Sequence, residues 1–446
     1  MRDPTNSRQS APEEAVAPSA SADSKRWPRL LAVVMLLYSS TAFVFLFRTP
    51  TEHGGEGDPL IQLVWIPIYM AVAWSLLRLR GRSARGWPVD AWLLAFLAVA
   101  AASVLWSPAP ALTARRTVAL AGTALCGIFL ASHFTARQVL GLFRTTALIA
   151  AAGSLFLIVF LPDQARDPLF VEQNALRGAF IHKNLFGRMM ALGLCTELLL
   201  ALYAKGRAAG HVVSMALLSL LLILSDSATS LLVLVAIAGV ILFIRWVRAL
   251  PDPQLAAVGV LLIGAAAVIV FLAFFSGKET VLHLVGRDAT LTNRTHIWDA
   301  VLQGIRQRPV LGFGYGSFWR GNVGPSGLLY RMFGPTIAHA HNGFLDIWAQ
   351  LGVVGVGIVV GLFLRAITQA LREITSGDVL LGATAFSFLT FLVLFNIVES
   401  ALLVQNGTYT VLLCYVVSAM ATARRGQAER TAHRMGGMAL VPGQQP

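Results

Sequence analysis

The chain has 446 residues, of which 56% are hydrophobic and only 13% charged, with a formal net charge of +13. A soluble domain carries roughly 45 to 50% apolar and about 25% charged residues, so a single soluble globule is excluded. Apolar windows of about 19 residues, each able to cross roughly 30 Å of hydrocarbon as a helix, recur along the chain and predict an all-α, polytopic membrane protein. The basic residues cluster at helix ends on alternate sides and form no single patch, which argues against nucleic acid as a partner. Cys126, Cys195 and Cys414 all fall in apolar stretches and behave there as small hydrophobes, with no spacing suited to a disulfide framework or a metal.

Residues 1–28 are rich in Ala, Ser, Pro and charge, too polar to offset the entropy of ordering, and read as a disordered cytoplasmic tail. Nine spans are expected within 29–275, at about 30–47, 60–77, 89–105, 113–132, 145–161, 185–204, 212–225, 230–247 and 255–275. A large loop follows at 276–342, then three spans within 343–422 at about 343–364, 379–397 and 404–422, and a cytoplasmic tail at 423–446. An even count puts both termini on one side. Lys and Arg favour the side that holds the termini, ending with Arg424, Arg425, Arg430 and Arg434, so that side is expected to be cytoplasmic and the long loop extracytoplasmic.

Short outer loops break the charge rule in two places. Arg115 and Arg116 follow Trp106-Ser107-Pro108, and Arg166, Arg177, Lys183 and Arg188 surround the stretch from Arg177-Gly178 to Asn184. An anionic ligand at the outer membrane surface would account for them, as would snorkelling to lipid headgroups. Glu197 is the clearest carboxylate inside a span, and local pairing is its expected state.

Within the loop, Ile297, Val301 and Ile305 form a helical stripe with Trp298 and Leu302 beside it, which predicts an amphipathic helix along the membrane surface. Arg294 falls in its first turn, where a guanidinium and free backbone N–H groups suit an anion. Gly312-Phe313-Gly314-Tyr315-Gly316 reads as a tight turn with two aromatics packed down, since no strand precedes it as a dinucleotide fingerprint requires. His339-Ala340-His341-Asn342-Gly343 leads into the tenth span. A histidine there can take a proton from a sugar hydroxyl. The same pair could bind zinc only with further ligands such as Asp346 or Glu399, and no metal is expected.

At these residues the chain resembles the O-antigen ligase and polysaccharide polymerase superfamily. The matching pieces are Trp106-Ser107 with Arg115-Arg116, Arg177-Gly178 to Asn184, Ser225 to Thr229, Asn293-Arg294-Thr295 to Trp298, Arg308-Pro309 with Gly312-Phe313-Gly314, and His341-Asn342-Gly343-Phe344. Gly286 to Thr292 and Gly312 to Trp319 look most like the exopolysaccharide polymerases of the succinoglycan type. Asn293 stands where the family usually has Gly, and Ala228 where it often has a basic residue.

The resemblance implies a GT-C-like, metal-independent glycosyltransferase in the bacterial inner membrane. It would need no cofactor and would act on oligosaccharides carried by undecaprenyl diphosphate, with an acceptor glycan and the bilayer as its other partners. Polysaccharide co-polymerase or export proteins are further implied partners. His341 corresponds to the family's base, and Arg177 and Arg294 to the arginines that hold the donor diphosphate, with Lys183 and Arg116 expected beside them and Asn342, His339 and Tyr315 expected in acceptor or supporting roles. A ligase moving glycan to lipid A core or to protein would use the same groups, and a flippase or exporter is the alternative from another class.

Overall fold

The computed structural model describes residues 26–44, 59–80, 89–168, 175–204, 208–248, 250–276, 292–334 and 337–438. Most of the expected N-terminal tail, the stretch from 277 to 291 that includes Arg287 and Asp288, and the last residues from 439 onwards lie outside the described residues. The fifteen α-helices named among them are α1 (Arg26–Ser39), α2 (Pro59–Arg80), α3 (Ala91–Ala102), α4 (Pro110–His133), α5 (Ala136–Phe160), α6 (Pro162–Ala165), α7 (Lys183–Tyr203), α8 (Ala208–Leu224), α9 (Ala228–Val247), α10 (Pro253–Ser276), α11 (Thr292–Gln307), α12 (Gly327–Phe333), α13 (Gly343–Ser376), α14 (Val379–Val398) and α15 (Thr408–Met438). Extended pairing among the described residues is limited to one isolated antiparallel bridge between Arg166 and Leu176.

The chain is a multi-pass membrane protein. Among the described residues, seven helices are long and apolar enough to cross a bilayer, namely α4, α5, α7, α9, α10, α13 and α14. Shorter apolar stretches lie in α2, α3 and α8. Each of the twelve expected spans overlaps a helix, but several edges move for local reasons. Thr135 and Gln138 form a reciprocal capping box that starts α5 before the expected residue 145. The first helix stops at Ser39, where Ser39 and Ser40 turn their hydroxyls back onto the Leu36 and Leu37 carbonyls and Thr41 and Phe43 take left-handed φ. At the other end of the chain, α15 continues past the expected edge at 422 to Met438.

Burial ranks the helices. The apolar windows of α7 and α14 are 78% buried inside the protein and that of α10 only 22%, so α7 and α14 form the centre and α10 the rim. Close approach relies on small residues, as membrane packing does. Gly127 of α4 lies against Cys414 of α15, and Gly382 of α14 against the Ala370 carbonyl of α13. Glu197, fully buried in α7, is paired locally as expected, with Arg144 Nε and His211 Nδ1 each 2.6 Å from its carboxylate.

The helix α13 is broken at Gly352 (φ 65°, ψ −167°). Residues 309–314 lie across the break and take up its freed backbone groups. Val353 N donates to Pro309 O at 2.9 Å, and Phe313 N and Gly314 N donate to the Ala349 and Gln350 carbonyls at 3.0 and 2.8 Å. A Cβ at position 352 would overlap the Val310 carbonyl, and its φ is one that side-chain-bearing residues rarely adopt. This strap also gives α11 its partner. Ile297, Val301 and Ile305 are buried with Phe313, Phe318 and Leu329 in a small core of their own, so the expected apolar stripe packs on protein.

Candidate active site

The start of α7, the start of α13 and the end of α14 meet at the histidines. Asn342 caps α13, its Oδ1 accepting from Phe344 N and Leu345 N at 3.0 and 3.1 Å while its Nδ2 donates to Ile397 O. Asn342 N donates to Ser400 Oγ and Gly343 N to Glu399 O, and a Cβ on Gly343 would strike Asn396. His-Asn-Gly is therefore stitched to the segment between α14 and α15. From the other side, Trp298 Nε1 donates to Ala340 O at 2.9 Å, and Ala340 N donates to Asp346 Oδ1, which also accepts from Trp319 Nε1. The residue left projecting from this clamp is His341, with a left-handed φ of 49° and a side chain 30% exposed.

Glu399 ties the imidazole to the cations. Its Oε2 lies 3.5 Å from His341 Nδ1, while Oε1 is 3.4 Å from Arg294 Nη2 and accepts from Asn184 Nδ2 at 3.3 Å. Burial alone would raise the Glu399 pKa, but the His341 contact and the charges of Arg188 and Arg294 carry it well below the usual carboxylate range. Arg294 is fixed further by Nη1 donating to Val398 O at 2.7 Å. His339 stacks edge-on to His341 at 4.1 Å, and its Nδ1 accepts from His341 N. Burial first, then His341, Arg188 and Arg294, push the pKa of His339 down to about 3, so it is neutral at physiological pH.

Arg188 completes the cluster. It is 8% exposed, with its guanidinium 5.5 Å from the ring of Tyr409 and 5.9 Å from that of Phe395. Its Nε has no hydrogen-bond partner among the described residues. Lys183, also buried, donates from Nζ to Asp226 at 3.3 Å in the Ser-rich turn, while its backbone N–H goes to Asp167. Arg177 lies further out, donating from Nε to Gln164 O and facing Asp167, the carboxylate that also faces His182.

A cavity of about 320 Å³ opens beside His339, walled by Arg116, Trp319, Asp346, Gln350, Ser400 and Gln405. Arg116 donates to the Gly316 carbonyl, and Tyr315 donates to Leu403 O at 2.7 Å from a fully buried ring. Tyr315 is thus a strut between the glycine-rich turn and the 399–407 segment. Arg308 and Trp106 exchange bonds with one another's chain neighbourhood, Arg308 Nη1 to Trp106 O and Trp106 Nε1 to Leu311 O. The separate sequence pieces around Trp106, Arg116, Arg308 and Gly312 are one structural unit.

Residues 213–360 match the O-antigen ligase family. That stretch includes Arg294, His339, His341 and Asn342. The chain is also 26% identical over 352 residues to the exopolysaccharide production protein ExoQ of Rhizobium meliloti (strain 1021), an alignment covering 76% of this chain and 78% of that protein. The resemblance expected from the motifs is borne out.

Among the site residues expected from the sequence, His341, His339, Asn342 and Arg294 come together directly. Lys183 and Arg177 join through the Asp167 and Asp226 carboxylates, and Arg116 and Tyr315 stand on the cavity side. The sequence groups Arg188 with the basic residues that an anionic ligand would explain, but gives it no individual site role. Its signal was its position inside an apolar span, which by itself marks a candidate functional residue. In the sequence alone Glu399 stands out only as a possible metal donor. His339, His341 and Glu399 do bring three donor atoms within 4.8 Å of one another. Arg188 and Arg294 face the same carboxylate, however, and their charge opposes a divalent cation there.

Proposed function

We propose that the chain joins undecaprenyl-diphosphate-linked oligosaccharide repeat units into an exopolysaccharide at the outer face of the inner membrane. The observation that carries this reading is an imidazole paired with a buried carboxylate at the mouth of a membrane helix, with two guanidiniums facing that carboxylate. The family match and the similarity to an exopolysaccharide production protein support the same chemistry.

In this mechanism His341 Nε2 takes the proton of the acceptor hydroxyl, while Nδ1–H faces Glu399, which orients the ring and stabilises the imidazolium. The acceptor oxygen bonds to the anomeric carbon as the bond from that carbon to the diphosphate oxygen breaks. One displacement inverts the centre and releases undecaprenyl diphosphate. Arg188 and Arg294, with Lys183 and Arg177 at the edge, answer the charge that builds on the leaving group. Each guanidinium at about 4 Å contributes about 4 kcal/mol at an effective dielectric of about 20, before desolvation is subtracted. Arg116 is assigned to substrate held in the cavity beside His339.

The decisive variant is His341→Asn, because asparagine tolerates the left-handed backbone and lacks the base. Polymer formation should fall by about 10² to 10⁴ with protein level and lipid-linked donor retained. Activity within about threefold of wild type would refute the assignment. A ligase acting on lipid A core or protein is the second reading, favoured by the name of the matching family. Deleting the chain separates the two. Single repeat units accumulating on the lipid carrier indicate a polymerase, and long chains a ligase.

A further inference from the structure

Arg365, Arg372 and Arg424 surround a cavity of about 100 Å³ whose other polar lining residues are Asp90, Thr368 and Gln369. The helices that form it place it far from the histidines. Arg365 lies about 20 Å beyond the break at Gly352, at about 1.5 Å per residue, on the far side of it from the capped start of α13 beside His341. In α15, Arg424 lies about 24 Å beyond Thr408 on the same measure. Asp90 caps α3, while Ser103, just past the far end of that helix, binds Tyr315 N at the cavity near His339. The histidine site and this cavity thus lie at opposite ends of α3, α13 and α15, about 20 to 24 Å apart along α3 and α15 at about 1.5 Å per residue.

The charges around this second cavity do not balance. Arg365 Nε is 3.3 Å from Asp90 Oδ2, and no carboxylate pairs with Arg372 or Arg424 among the described residues. Glu373, the next acid in reach, is committed to Gln369, Gln427 and the Asp378 backbone N–H. Burial and then Arg365 disfavour the charge on Arg424, Asp90 opposes them, and Arg425 and Arg372 again act against it. Guanidiniums held around one cavity with a single facing carboxylate suit a phosphate, whose oxygens match the planar fork. Leu362, Val417 and Met420 line the same cavity and supply an apolar floor.

We propose that this cavity binds a phosphate group, and that its occupant is the headgroup of an anionic phospholipid in the leaflet opposite the histidine site. The apolar floor and the position at the helix ends favour a lipid over a soluble anion. The test uses the purified full-length chain, with native mass spectrometry after exchange into phosphatidylglycerol or phosphatidylcholine of the same acyl chains, and thermal unfolding with each lipid and with inorganic phosphate.

Phosphatidylglycerol should be retained about twenty-five-fold over phosphatidylcholine, about a factor of five per unpaired arginine, and the Arg372→Gln/Arg424→Gln double variant should lose that preference. Asp90→Asn keeps a side chain able to cap α3 and removes the facing carboxylate, so it should raise phosphatidylglycerol retention. A merely structural Asp90 would instead give unchanged or lower retention. Equal retention of the two lipids, or a preference unaltered in the double variant, overturns the site. Stabilisation by inorganic phosphate without stabilisation by phosphatidylglycerol overturns the lipid headgroup as occupant.

Discussion

His341 combines a left-handed backbone with a side chain that reaches Glu399, and residues held in such sparsely populated conformations cluster at functional sites. Its neighbours carry separable predictions. Arg188 offers a buried guanidinium whose Nε is unmatched among the described residues, so Arg188→Lys, which keeps charge but loses the fork, should cost about 10² to 10³ in polymer synthesis. Arg177→Lys should cost less, because Arg177 sits at the edge and is fixed through the Gln164 carbonyl. Measured rates with lipid-linked donor in membranes order the two, and a larger loss for Arg177 would reverse the assignment. Because Arg188 and Arg294 oppose a divalent cation at Glu399, activity should survive chelation in metal-free buffer, and restoration by zinc or manganese alone would contradict this. His339 also sets an acid limit on stability. Its folded pKa is about 3 against an ordinary 6.5, so between those values the unfolded chain binds a proton that the folded chain does not. Stability is therefore lost as pH falls from about 6.5 towards 3, and Glu399, with its depressed pKa, adds a further loss below about 4.5. His339→Asn, which can still accept from His341 N, should flatten the first part of that fall in a thermal-unfolding series across pH.

Elements are where sequence and structure differ in instructive ways. The glycine-rich run was legible as a tight turn, and Gly312, Gly314 and Gly316 do take left-handed φ. What the sequence could not reveal is that residues 309–314 cover a break in a helix forty residues further on, because the interacting groups are backbone amides and carbonyls common to every residue. The stripe of α11 was equally legible, but its partner was not. Periodicity defines an apolar face without saying whether lipid or protein will cover it. Gly352→Ala tests the break directly. The alanine would hold a left-handed φ and overlap the Val310 carbonyl, so stability should fall by about 1 to 3 kcal/mol, read by thermal or denaturant unfolding in detergent. A variant as stable as wild type would show that the break does not depend on glycine.

For the whole molecule, hydropathy located a helix at each of the twelve expected positions, because lipid requires every backbone group to be satisfied within the segment. Edges were less legible, since they depend on caps such as Thr135 with Gln138 and on hydroxyls such as Ser39 that bind locally. The site was legible in its histidine and in Arg294. Arg188 and Glu399 acquire their roles only when α7 and the end of α14 are brought together. Sidedness follows from the excess of Lys and Arg with the termini, and we propose that both termini are cytoplasmic and the 276–342 loop extracytoplasmic. Reporter fusions after residue 446 and within residues 321–325 should report opposite compartments.

The clamp around His341 has a practical consequence for exchanging specificity between homologous enzymes. One wall comes from Trp298, one from Asp346, and the third from Asn396, Glu399 and Ser400, more than fifty residues downstream of the loop. A chimera that transplants the loop alone would import a histidine without the floor that aims it. Grafts should therefore move the loop together with the junction between the last two helices, and chimeras that split the two should be inactive even when each parent contributes an intact motif.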